Sequence, residues 1–242
     1  MNRRLLEDIK RQHELMNLNE QESNSNILGF DVGAFLRGKN PQDATYVDTS
    51  NYTPTITDNS FESMTNKVID NLEGGYYHPK MKSGSAMGDS GETMMGIDRK
   101  HGGTINTTDA GKEFWKIIDD ADASTKWKHY YKGGELEPKL KKLVAKMMKP
   151  YYDSYMDRYL SPEAKKIVEK NPDLNFHFVY ATWNGPGWFQ KFGKKINDAV
   201  AKGIEDPKKL IQIALRSRLD SGNSIIAQTG RKMDDILGTN LV

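Results

Sequence analysis

The chain has 242 residues, of which 36% are hydrophobic and 28% charged, with a formal net charge of +2 and no cysteine. That length accommodates one domain of about 150–200 residues plus an appendage, and no run approaches the roughly 20 apolar residues that a membrane span needs. The lack of cysteine removes thiol nucleophiles, disulfides and thiolate metal sites together, and a charge this mild gives no ground for a nucleic-acid partner.

Residues 1–20 set Leu5, Ile9, His13 and Met16 at helical spacing among charges, which predicts a short amphipathic helix. The same start cannot serve as a signal peptide, because Glu7, Asp8, Lys10 and Arg11 interrupt the apolar core such a peptide needs. Residues 21–58 are rich in Asn, Ser, Thr, Asp and Gly and read as a polar arm or linker. The composition changes near Asp58. The predicted organisation is therefore 1–58 as an N-terminal helix plus arm and 59–242 as the folded domain, and a chain starting near Asp58 is expected to fold.

Beyond that boundary Asn59 and Glu62 form an expected cap pair, and Phe61, Met64, Val68 and Leu72 line one helix face. Gly74-Gly75 should end the helix and leave Glu73 on its last turn. Eight glycines between positions 74 and 103 exclude a helix there, and a small hairpin or ribbon fits instead. Further helices are predicted through Phe114, Ile117, Ile118 and Ala121, and through Leu140 to Met148. Pro150 is expected to interrupt the second, with a restart at Tyr151, Tyr155 and Tyr159. Ser161-Pro162-Glu163 reads as a fresh start. An apolar helix from Leu174 to Trp183 is stopped by Gly185-Pro186-Gly187, another follows through Phe189, Phe192, Ile196 and Val200, and Asp206-Pro207 opens the last predicted one. The fold class is mainly α with a small β element early in the domain.

Glu73 is the residue with the clearest chemical promise. A carboxylate at a helix C-terminus faces the negative end of the macrodipole, which disfavours its ionisation, and burial would act in the same direction. A carboxyl group that keeps its proton near neutral pH is what general-acid catalysis requires. Gly74 and Gly75 leave the neighbouring backbone bare for a bulky substrate. Across the loop, Asp89 and Thr93 are candidates for holding a water or stabilising positive charge, with Glu92 as the competing choice. His78, His101, His129 and His177 show no metal-ligand spacing, so neither a metal nor another cofactor is expected. The lysines between Lys126 and Lys149 read as a solvated helix face.

The order Glu73-Gly74-Gly75-Tyr76, then Asp89, Gly91, Thr93, Gly96 and Ile97, resembles the motif of the phage and bacterial peptidoglycan hydrolases of glycoside hydrolase family 108, in the lysozyme superfamily. The segment 183-WNGPGWFQ-190 is similar, more loosely, to that family's C-terminal helical segment. Two departures stand out. The loop from Tyr76 to Asp89 is several residues longer, and Glu92 replaces the second glycine, bringing Asp89 and Thr93 one residue closer. The resemblance implies a lysozyme-like helical domain with a β-hairpin beside the cleft, and it implies that Glu73 is the acid of a muramidase. Glycan strands of peptidoglycan would be the substrate. Sugars present flat apolar faces and hydroxyls, so Tyr76, Tyr77, Glu92, Trp183, Asn184, Trp188 and Gln190 are the binding candidates. The polar arm suits a phage product, either a virion lysin attached to tail or virion proteins through residues 1–58 or an endolysin held in the host cytoplasm until it acts on the wall. Competing readings are a lytic transglycosylase or chitinase-like glycosidase, and a non-catalytic virion structural or wall-binding protein.

Overall fold

A computed structural model describes residues 53–73, 76–77, 92–100, 102–120 and 133–239. The predicted N-terminal amphipathic helix, nearly all of the arm, and the segment with Asp89 lie outside these residues. Among the described residues the protein is mainly helical, with eight α-helices and one small antiparallel sheet.

Helix α1 (Phe61–Asn71) is capped by Ser60, whose hydroxyl accepts from the Ser63 amide at 3.3 Å. Asn59 was the expected cap, but its side chain is used across the fold, donating to Glu169 O and accepting from Asn175 Nδ2. Strands β1 (Tyr76–Tyr77), β2 (Thr93–Met94) and β3 (Ile97–Asp98) pair in sequence order, with Tyr76 opposite Met94 and Met94 opposite Ile97. A 3₁₀ turn at Gly103–Thr107 leads into α2 (Asp109–Asp120).

Helix α3 (Glu137–Tyr159) runs through Pro150 without a break, contrary to the expected interruption. The physical reason lies in its two faces. Lys146, Lys149 and Pro150 are exposed, so water can satisfy the carbonyl left without an amide partner. The opposite face carries Leu143, Met147, Tyr151 and Tyr155 as one buried stripe across the proline. Packing along that stripe outweighs the local cost.

Helices α4 (Pro162–Lys170), α5 (Pro172–Trp183), α6 (Pro186–Val200) and α7 (Pro207–Leu219) each begin on a proline. Proline at this position has the right φ and lacks an amide that would be orphaned anyway. Ser161, Asn171 and Asp206 cap α4, α5 and α7 through their side chains. Helix α8 (Ser224–Leu237) is not among the predicted helices, although Asn223 caps its start and Gly238, at φ 60°, closes its end.

Two apolar cores meet at α1. Met64 and Val68 belong to the larger one, built with α3 to α8, and Ile69 to the smaller one, built from the β2–β3 hairpin, α2 and the first half of α3. Trp183 packs against both. The end of α1 therefore falls on the seam between the two cores.

The packed unit begins upstream of the expected boundary at Asp58. Ile56 is buried in the larger core. The Thr55 and Ile56 amides donate to the buried Asp173 carboxylate at 3.0 and 2.7 Å, and Thr55 Oγ1 donates to Leu237 O at 3.1 Å. A chain starting at residue 53 is accordingly expected to exceed one starting at residue 59 in stability by about 2–3 kcal/mol, from the lost apolar burial and charge-assisted hydrogen bonds. Urea denaturation of the two chains measures this, and coincident midpoints would place the functional boundary back at Asp58.

Candidate active site

Helix α1 ends at Asn71 with Leu72 as its C-cap, so Glu73 lies two residues past the helix and not on its last turn as expected; its amide donates to Val68 O at 3.0 Å. The helix is held in place from both sides. Lys141 of α3 bonds Asp70 and Glu137 at 2.6 Å, and Asn175 of α5 bonds Asn59 at 2.8 Å. Glu73 Oε1 accepts a hydrogen bond from the Tyr180 hydroxyl at 2.9 Å.

The β2–β3 turn forms another wall. Met95 (φ 52°) and Gly96 (φ 74°) are both left-handed, the requirement of a two-residue type I′ turn. Space also demands glycine at position 96. A Cβ there would lie 2.9 Å from Glu73 Oε2, 2.8 Å from Trp183 Cδ1 and 2.9 Å from Trp183 Nε1. The Trp183 indole N–H in turn points to Met95 O at 3.4 Å. The carboxyl group thus sits among a bare turn, an indole and a phenol contributed by the hairpin and α5. Gly96→Ala is expected to cost about 1–2 kcal/mol from its backbone conformation alone, and to displace the indole. A denaturation curve and a shift in tryptophan fluorescence would report both effects; wild-type values for both would mean that the turn absorbs the methyl group.

Behind Tyr180 lies Arg218 of α7, fully buried. Its guanidinium stacks on the Tyr180 and Phe192 rings at 4.8 and 4.4 Å. Nη1 donates to Asn184 Oδ1 at 2.7 Å, Nε to His177 Nδ1 at 3.2 Å, and Nη2 to the His177 carbonyl at 3.4 Å. Burial pulls the Arg218 pKa down to about 9, against the opposing pull of Tyr180 and Glu73, so it stays charged at neutral pH. Burial, and then the Arg218 charge, hold His177 well below its ordinary value. His177 is therefore the neutral acceptor of this pair. Its Nε2 is buried without a hydrogen-bond partner, beside the Phe178 and Phe192 rings. Burial first, and the Glu73 charge second, push the Tyr180 phenol above its ordinary value, which keeps it a donor.

The other predicted site residues are distributed as follows. Thr93 is on β2, its hydroxyl buried with no hydrogen-bond partner. Glu92 is buried and pairs with Arg99 Nη1 at 2.5 Å; Arg99 also bonds Asp119 of α2 and stacks on Trp115. That pairing gives Glu92 a role in fastening the hairpin to α2. Asn184 ends α5 and turns its side-chain oxygen to Arg218. Trp188 is half-buried and stacked on Phe192, with the Lys191 ammonium over its ring at 4.7 Å, while Gln190 is exposed. Tyr76 and Tyr77 are defined only as strand residues, and Asp89, His78, His101 and His129 lie outside the described residues. Of the predicted set, the structure brings Trp183 against Glu73.

Tyr180 and Arg218 were not predicted. Both left a signal in the sequence. Tyr180 is three residues from Trp183, hence on the same side of α5. Arg218 continues the series Leu210, Ala214 at four-residue spacing, an arginine where the helix pattern calls for a core residue. No family model, curated protein or solved structure matches this chain.

Proposed function

We propose that this protein is a peptidoglycan hydrolase of the lysozyme-like type, a muramidase in which Glu73 is the general acid. The observation that supports it most is the setting of that carboxyl group: at a helix end, on the seam of two cores, with a phenol donating to Oε1 and a bare glycine turn against Oε2. Glu73 gives its proton to the glycosidic oxygen between muramic acid and glucosamine as the bond to the muramic acid C1 breaks. Water attacks the oxocarbenium-like centre, and its proton passes to a base or to solvent. Asp89 and Thr93 are the candidates for positioning that water, Glu92 being engaged with Arg99. Tyr76, Tyr77, Trp183 and Trp188 are the aromatic surfaces for the sugar rings, with Asn184 and Gln190 as amide partners. The residues ahead of position 53 attach the enzyme to phage tail or virion proteins, and it acts at the bacterial wall.

Zymography on purified cell wall, followed by mass spectrometry of the released muropeptides, tests this reading. Clearing with free reducing ends is the expected result. Products lighter by one water, ending in anhydro-muramic acid, would mean a transglycosylase, and no clearing would favour a non-catalytic wall-binding protein.

A further inference from the structure

Tyr180 and Arg218 have no part in the reaction as proposed, yet both are buried, Tyr180 against the acid and Arg218 against Tyr180. The Tyr180 hydroxyl reaches Glu73 Oε1 at 2.9 Å, and the Arg218 guanidinium lies on the other side of the same phenol ring, 4.8 Å from its centroid. Arg218 is itself fixed by three hydrogen bonds to His177 and Asn184. A layer of this kind is rigid. It holds a donor and a positive charge at a set distance from one oxygen of the carboxyl group.

We propose that Tyr180 is a positioning residue for Glu73, backed by the fixed charge of Arg218, so that Oε1 remains the accepting oxygen and the transferable proton belongs to Oε2, the oxygen beside Gly96. This rests on the reading of Glu73 as the acid. The arrangement has a chemical logic. Before proton transfer, Oε1 is the carbonyl oxygen of a neutral acid and accepts from the phenol. After transfer, the same oxygen carries part of the carboxylate charge, and the same hydrogen bond strengthens. The donor is in place in both states and nothing needs to reorganise. A donor on Oε1 favours the carboxylate form and so keeps the group able to release its proton.

Described groups near Glu73 include Tyr180 and the Trp183 indole from α5, Gly96 from the hairpin, and the Arg218 charge from α7, which Asn184 anchors. His177 lies beyond Arg218 and is neutral. On α1 itself, Asp70 is paired with Lys141. Tyr180 donates directly to the carboxyl group, so its removal should be read at Glu73.

The test is Tyr180→Phe in the full chain, which removes one oxygen and leaves the ring under Arg218. The Glu73 carboxyl is titrated by ¹³C NMR, assigned by its loss in Glu73→Gln, and wall lysis is followed against pH. Losing a donor that favours the carboxylate raises the acid's pKa. A hydrogen bond to a charged group corresponds to a shift of about one pH unit. The Glu73 midpoint should therefore rise by about that much, and the alkaline limb of the lysis profile should move up with it, at a kcat reduced about tenfold. A Glu73 midpoint unchanged within about 0.2 units would overturn the proposal. The NMR titration does not depend on activity. A shifted midpoint in a protein that clears no wall would leave the Tyr180–Glu73 coupling standing and overturn the glycosidase reading beneath it.

Discussion

Glu73→Gln is expected to leave the fold intact and to reduce wall cleavage by about 10²–10⁴-fold, the range that a positioned general acid contributes. Glutamine nearly matches glutamate in shape, and its carbonyl oxygen can still accept from the Tyr180 hydroxyl at the Oε1 position. What it lacks is a proton it can give away. The glycosidic leaving group would then depart as an alkoxide, at the full cost of an unprotonated leaving oxygen. Rates on purified wall, with thermal melts run beside them, separate loss of chemistry from loss of structure. A variant that keeps more than a few per cent of wild-type rate would remove Glu73 from the mechanism.

The largest stability effect is expected at Arg218. Replacement by alanine should cost about 3–5 kcal/mol, the cost of breaking a buried, hydrogen-bonded charge cluster. The side chain is fully buried, so its removal opens a cavity beside Tyr180 and Phe192. It also leaves His177 Nδ1 and Asn184 Oδ1 without the donor they now share. Arg218→Met should be milder, because it refills much of the volume and relieves the cost of burying a charge. Urea unfolding of the two variants measures the difference. If alanine costs less than about 1 kcal/mol, the guanidinium's desolvation has cancelled its hydrogen bonds, and the cluster is kept for some reason other than stability.

Much of the helical framework was legible because it is written locally. The proline starts at Pro162 and Pro207 each depend on neighbours within a few residues. The misread positions share a different origin. Pro150 breaks a helix by its own propensity, but a buried stripe of side chains spans it. Asn59 and Ser60 both suit a cap, and contacts with Asn175 and Glu169, more than a hundred residues away, decide between them. At the candidate site the same division holds. Glu73 and Trp183 could be named from their motifs, whereas Tyr180 reaches Glu73 from 107 positions away, a pairing that exists only once α1 and α5 are packed. The ion pair of Glu92 with Arg99 is likewise a product of the hairpin, not of the motif that drew attention to Glu92.

The hydrogen bond between Thr55 and Leu237 has an architectural consequence. The segment that enters the packed unit and the last described helix meet at one corner. A unit whose two ends lie together can be spliced into a larger assembly without forcing them apart. The same closeness suits a permuted chain, with the old ends bridged and new ones opened at the exposed turn of residues 201–203, remote in sequence from both Glu73 and the arm.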